Sequence, residues 1–430
     1  MRKILYLLFC LTSLIATRLC ADNAPRKLTL RDAEEIALQK HPKITAAELR
    51  SLASKQATKE VRSAFFPTVS ANVTAAGTDD LNTRIGAGVL NNPSVFERNA
   101  EGITINQLIT DFGRTWNLNQ SSKLHSRAEE KNAEATRDQI LLQVNVSYFS
   151  VLESQSVLRV AEQTVKSRGL LLNQIQNLAS NKLKSELDVS FAKVDFEQAR
   201  LLLAKSQNDL KAGFATLSTL LGEREPQTFQ LVDEPMPPDL TNNVSDLIFQ
   251  SLQQRPDLAR LRLERDAAKE FAKAERKLSY PTISAVATGG IIPIRDSRLP
   301  ENYAAAGVNL NLPLFTGGLF SARKKEAELR AKAAEELLRD EENNVTREVQ
   351  ISKLNVDYTF ERLGLTEKLL QNARQAFGLA QTRFNLGSSS IVELSQAELN
   401  RTSAEIGQAN ATYDYHIQRV ALDFQVGKLH

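Results

Sequence analysis

Residues 383–398, RFNLGSSSIVELSQAE, stop a long helical pattern at one glycine and three serines and then restart it with a carboxylate, Glu393. Half a chain earlier, NLASNKLKSELDVSFAK (177–193) has the same outline, with Ser185 and Asp188 where Ser390 and Glu393 stand. An acid at such a corner is either a solvated first-turn residue favoured by the helix dipole or a charge placed where other groups meet it. Other candidates for chemistry fail on context. Asp111-Phe112-Gly113 spells a kinase magnesium motif, but no Gly-rich or catalytic loop accompanies it, so it reads as a turn and cap. Gly86-Ala87-Gly88 lacks the third glycine and the strand-to-helix setting of a dinucleotide site. His41, His125, His416 and His430 have no ligand spacing with one another, so neither a metal nor a cofactor is expected. No nucleophile–base pair stands out, and the expectation is a protein that is not an enzyme.

The two corners belong to a duplicated unit. Lys40-His41-Pro42 parallels Gln254-Arg255-Pro256 and Phe66-Pro67 parallels Tyr280-Pro281, both 214 residues apart. Gly102 and Gly307, Gly113 and Gly318, Asp188 and Glu393, and Gly222 and Gly427 are each 205 apart. The sequence thus divides into a leader (1–21), a first repeat (22–222), a Pro-rich linker (223–243) and a second repeat (244–430). In each repeat a helical segment, 30–64 or 244–279, ends at an aromatic followed by proline, which cannot continue a helix. Two strand-like runs follow, at about 68–78 and 101–109, then at about 282–292 and 303–313. Val69, Ala71 and Val73 alternate with Ser70, Asn72 and Thr74, while Val308, Leu310 and Leu312 alternate with Asn309 and Asn311. Such alternation suits a strand with lipid on one side and water on the other, or a half-buried soluble strand; four paired copies favour the first.

After each strand pair the pattern predicts a helical hairpin of unusual length, 113–222 and 318–427. The outgoing arms run with little interruption, Gly169 being the one interior breaker of the first, for roughly 100 Å each. Seven-residue stripes mark them: Val144, Val151, Leu158, Val165, Leu172 and, 205 residues on, Val349, Val356, Leu363, Leu370, Phe377. The return arms carry Val189, Phe196, Leu203, Leu210, Leu217 and Val392, Leu399, Ile406, Tyr413, Val420. Heptads mean coiled-coil packing, and their narrow width means helices that grip sideways while both other faces stay wet. The expected fold is mainly α with membrane β. Four strands cannot close a barrel, so two, three or four chains are needed.

The ends and the charge set the compartment. Arg2 and Lys3 before the apolar run from Ile4 to Ala16 read as a secretory leader cleaved after Ala21. Both cysteines, Cys10 and Cys20, lie inside it, Cys20 being a poor match to a lipidation site. Arg2, Lys3 and Arg18 account for the excess of 54 basic over 51 acidic residues, so the mature chain is balanced and no nucleic acid is expected as partner.

The duplication, the Phe66-Pro67 and Tyr280-Pro281 junctions, the turns TDFGR (110–114) and FTGG (315–318) and the tip GSSSIVEL (387–394) together resemble the TolC-like outer-membrane efflux family over the whole mature chain. The resemblance implies a homotrimer with a twelve-stranded barrel in outer-membrane lipid and an α-helical periplasmic conduit. It would serve as exit duct of an efflux pump or type I secretion system, with a periplasmic adaptor and, through it, an inner-membrane pump as partners. It also makes Gly387, Ser388, Ser390, Asn181 and Ser185 hairpin turns at a periplasmic gate, where Glu393 aligns with an acidic position that forms a ring by threefold symmetry. Three departures stand out: Gln396 replaces a second acid, Ser389 replaces a bracing arginine and so leaves Asp188 without that partner, and Phe384 replaces a hydroxylated aromatic. A gate held by fewer charged links is therefore expected, with Glu393 its main selectivity residue. Phe65, Phe66, Trp116, Tyr280, Phe112 and Phe315 cluster at the strand–helix junctions, as a headgroup-level girdle would or as residues burying a corner. Asp111 and Thr316 are expected to cap the long helices. The competing reading is an exported coiled-coil adaptor or filament protein with a soluble β-domain, which would not show both a need for detergent and a trimeric state.

Overall fold

The computed structural model describes residues 26–76, 86–87, 90–91, 98–240, 243–294 and 300–429. Residues 1–25, which hold both cysteines, and most of the polar loop between the first two long strands lie outside them. In order, the elements are β1 (Arg26–Leu28), α1 (Leu30–Lys40), α2 (Pro42–Ser63), β2 (Thr68–Ala76), β3 (Arg98–Thr110), α3 (Arg114–Ser180) and α4 (Glu186–Leu220). The same series then repeats as β4 (Phe229–Leu231), α5 (Val244–Gln254), α6 (Pro256–Arg276), β5 (Thr282–Ile294), β6 (Asn302–Asn311), α7 (Leu319–Asn385) and α8 (Ile391–Val426). A minor ladder pairs Gly86–Ala87 with Leu90–Asn91. Contacts divide the chain into two compact units: Met1–Pro42 with Arg137–Val244 and Val349–His430, and Lys43–Thr136 with Ser245–Glu348. Each draws on both halves of the sequence.

Two expectations need correction. The helical segments 30–64 and 244–279 are each two helices, because Pro42 and Pro256 open a new helix at its first position, where the missing N–H costs nothing. The linker is also not merely a linker. Its residues Phe229–Leu231 pair in parallel with Arg26–Leu28, and the Tyr148 hydroxyl fastens the two strands, lying 2.9 Å from the Leu28 carbonyl and accepting from Val232 N–H at 3.1 Å.

In the second unit the four long strands form one antiparallel sheet of order β2-β3-β5-β6. Its register sorts the side chains by type. Val69, Ile105, Ala287 and Ala306 form one row across it, and the next row on the other face is Ser70, Thr104, Thr288 and Ala305. Val69, Val73, Ile103, Ile105, Val308 and Leu310 are all exposed on the first face. All four strands leave the sheet toward helices at one end, where Thr68 pairs with Asn106 and Thr282 with Asn311. There Asp111 caps α3 by accepting from Thr115 N–H at 2.7 Å and Gly113 N–H at 3.1 Å, whereas Thr316 serves α7 only through its carbonyl. Glu275, on α6, is 2% exposed and meets both long helices at their first turns: Arg114 at 3.5 Å and Arg323 at 2.9 Å. Both arginines are thereby held by one buried carboxylate.

In the first unit the helices pack along the expected seams. Val144, Val151, Val349 and Val356 are buried outright, and Gly169 leaves room for the Phe196 ring, whose edge a Cβ would meet at 3.2 Å. The stripe on α8 is misplaced near its start. Val392 and Leu399 are 55% and 46% exposed, while Ile391, Leu394, Glu398 and Thr402 turn inward. Glu153 borders a cavity of about 310 Å³ between α3, α4 and α8, with Ser154, Lys205, Asp209 and Asn410 among its neighbours. Burial, reinforced by the Asp414 carboxylate and opposed by Arg362, raises its carboxyl to about 7. The folded protein therefore takes up a proton that the unfolded chain, near 4.5, releases. The stability this contributes is complete below that lower value and is lost as pH rises through about 7. Unfolding measured across this range should show wild type losing stability relative to Glu153→Gln; parallel profiles would mean that the carboxylate is already solvated.

Candidate functional site: the hairpin tips

The two tips are built on one plan with different chemistry. In the first, Asn181 Nδ2 donates to the Asn177 carbonyl at 2.8 Å and Lys182 turns the chain in the left-handed region, φ +60. Gly387 holds the matching place in the second tip, φ +72, a conformation that glycine adopts without strain. Ser185 and Asp188 then form a reciprocal capping box, the Asp188 carboxylate accepting from Ser185 N–H at 3.0 Å and from its hydroxyl at 2.8 Å. These hydrogen bonds, chiefly those from Ser185, hold the Asp188 carboxyl below the usual carboxylate range. Asp188 thus starts a helix, as the simpler reading of the sequence has it.

Glu393 behaves differently. Ser390 caps α8 alone, its hydroxyl accepting from Glu393 N–H at 3.3 Å. The Glu393 carboxylate instead turns to Arg383 Nη1 at 2.9 Å and the Ser389 hydroxyl at 2.9 Å. Arg383 also reaches the Ser388 carbonyl at 3.4 Å, and the Ser388 hydroxyl donates to the Arg383 carbonyl at 3.0 Å. At this corner Ser389 cannot form a salt bridge, and Arg383, one helical turn before the corner, supplies the cation that meets Glu393. Gln396 bonds only along its own helix, to Asn400 at 3.0 Å. Phe384 lies inside the tip. It is 5% exposed and packs with Ile175, Ala192, Ala380, Ile391 and Leu394, the Lys184 ammonium lying 4.7 Å from its ring centre. This apolar ring is part of the core that joins the two hairpins.

Behind that core lies a charged cluster that the sequence reading missed. Arg168 on α3 is within 3.5 Å of Asp195 on α4 and 3.8 Å of Glu398 on α8. Ser167 donates to Glu398 at 2.8 Å, Arg401 approaches it at 3.8 Å, and the Ser395 hydroxyl donates to Asp195. Arg168 and Glu398 are both buried. The available signal was Glu398 itself, seven residues after Ile391 and so a charge on the seam. The junction aromatics, by contrast, gather at one end of the sheet in the other unit and remain exposed, from Phe65 at 38% to Phe315 at 90%, with Phe112 edge-on to Tyr280 at 6.0 Å. They do not bury a corner.

Glu398→Ala should cost about 3 kcal/mol in denaturant unfolding, because buried Arg168 loses its carboxylate on α8 and keeps only Asp195. The exposed Glu393→Ala should cost less than about 1 kcal/mol. The reverse order would show that the buried cluster does not tie the hairpins. Lys182→Gly should add about 1 kcal/mol by removing the left-handed penalty; no gain would mean that the turn relaxes without it.

Comparison with known proteins agrees with this architecture. The outer membrane efflux protein family matches residues 35–223 and 247–428. Outer membrane protein TolC of Vibrio cholerae is 24% identical over 402 residues, covering 91% of this chain and 89% of the relative. The cobalt-zinc-cadmium resistance protein CzcC of Cupriavidus metallidurans is 27% identical over 307 residues, 68% of each chain. The crystal structure of CusC superposes with a TM-score of 0.81 at 17% identity over 95% of both chains. Such relatives are transport channels rather than enzymes. A sheet with one apolar and one polar face, continued by paired long helices and matched along nearly its whole length, places the chain in the outer membrane efflux protein family, the TolC-like channels of the outer membrane whose helices extend into the periplasm.

Proposed function

We propose that three copies of this chain assemble the channel, each giving four strands to a twelve-stranded barrel and two hairpins to a periplasmic conduit. The observation that carries this reading is the sheet. In a single chain β2 and β6 each have one strand neighbour, and an unpaired edge in lipid costs several kcal/mol for each unsatisfied group. A second feature supports it independently. Leu187, Val194 and Leu201 on α4, and Ile351, Tyr358, Leu365 and Leu379 on α7, are exposed and fall on seven-residue tracks, the second interrupted at Asn372. Two such seams without partners in one chain suit neighbouring copies of the same chain.

In this assembly the duct passively conducts cargo across periplasm and outer membrane, as the exit stage of an efflux pump or type I secretion system. A periplasmic adaptor meets the hairpin tips and links them to an energised inner-membrane pump. Glu393 from three copies forms the anionic constriction, with Arg383 and Ser389 setting its direction and Phe384 holding the two tips together. Asp188 acts as a helix cap and not as a second ring.

Detergent extraction followed by native mass spectrometry should give a trimer, and the same material should conduct in planar bilayers. A detergent-free monomer without conductance would overturn the assembly. Glu393→Gln should lower the cation preference of the pore and leave the trimer intact; unchanged selectivity would remove Glu393 from the constriction.

A further inference from the structure

The mature chain is balanced in charge, yet its charge is not spread evenly. The last seven residues of α2 and α6, the first seven of α3 and α7, and the short segments joining them to the sheet carry nine cations and only four carboxylates. All of these segments leave the same end of the sheet, as the strand register requires. Contacts hold that end together: Glu275 bridges Arg114 and Arg323, and Lys277 Nζ lies 3.4 Å from the Gly113 carbonyl.

The four carboxylates are largely spoken for. Asp111 caps α3, Glu275 is buried between its two arginines, and Glu270 pairs with Lys273 at 2.6 Å. Arg276 finds Glu328, beyond the segment, at 3.0 Å. Among the described residues no carboxylate pairs with Lys59, Arg62, Lys324 or Lys325, and all four are exposed. Arg62 lies over the Phe66 ring at 6.0 Å, and Lys324 is one helical turn, ~6 Å, beyond Phe320. The order from the sheet outward is thus apolar face, exposed aromatics, then unpaired cations.

We propose that this collar binds the headgroups of anionic phospholipids in the leaflet facing the helices. The inference rests on the channel reading, which sets the apolar sheet face in lipid. Aromatic rings sit at the headgroup level, and a cation one turn further from the hydrocarbon meets the phosphates. Anionic lipid answers the charge, and its acyl chains answer the adjoining apolar face; free phosphate answers only the first. Lys and Arg stems lie along the aromatic side chains while their charged ends reach the phosphates.

The test uses the full-length channel in nanodiscs of phosphatidylcholine with or without phosphatidylglycerol. Native mass spectrometry after release into mild detergent should show phosphatidylglycerol retained over phosphatidylcholine by about fivefold or more, less at high salt. The variant Arg62→Gln/Lys324→Gln/Lys325→Gln should lose that preference and keep its assembly and conductance. Equal retention of the two lipids by wild type overturns the proposal without reference to any variant. A variant that keeps the preference, or that loses assembly while lipid retention is unchanged, also overturns it, the latter because the cations would then face a second copy. Inorganic phosphate competing as well as phosphatidylglycerol vesicles would count against a lipid ligand. Conductance in the same bilayers is read separately: failure of the collar leaves it intact, whereas failure of the channel reading abolishes it.

Discussion

A peptide group in hydrocarbon must find its hydrogen-bond partner within protein, since no water is there to take its place. In this chain four strands satisfy one another internally and leave two outer edges, so the sheet is complete only as part of a closed surface. The rest follows from that need. Where the sheet ends, the helices start, and α3 and α7 are held to α6 through Glu275. Apolar side chains predominate on one face of the sheet and Ser, Thr and Asn on the other, as suits strands between lipid and water.

Away from the sheet the problem is reversed. A wall of helices with water on both sides has little apolar surface to bury, so its packing relies on narrow seams and on close approach. Small residues serve this, as at Gly169 against Phe196 and at the buried alanines Ala161, Ala192 and Ala199. Where apolar contact runs thin, the chain uses charge. Arg168, Asp195 and Glu398 bring both hairpins together just behind the tips, a combination that costs much to break although it need not add much over an apolar equivalent.

Much of this could be read from residue order. The heptads of α3 and α7, the alternation in β2 and β6 and the aromatic–proline junctions each report a local rule, and local rules survive in a single sequence. What escaped depends on distant partners. The three-residue strands β1 and β4 are too short to carry a period, and exist because Tyr148 and each other satisfy them. Glu393 and Asp188 look alike in the sequence, yet one faces an arginine ten residues back and the other its own cap. On α8 the apolar residues Ile391 and Val392 are adjacent, so the pattern alone could not say which faced inward. Phe384 lies in the core shared by both hairpins, a contact with distant residues that its local sequence does not announce.

The pairing of β1 with β4 joins residues some two hundred positions apart, around the whole of the first strand pair and hairpin. Closing so long a loop carries an entropic charge that grows with the logarithm of its length. During vectorial synthesis and export, Leu28 therefore lacks its strand partner until the segment between the repeats emerges, although in the finished fold it is wholly enclosed. Completion of this small sheet is therefore timed by the middle of the chain and not by its beginning.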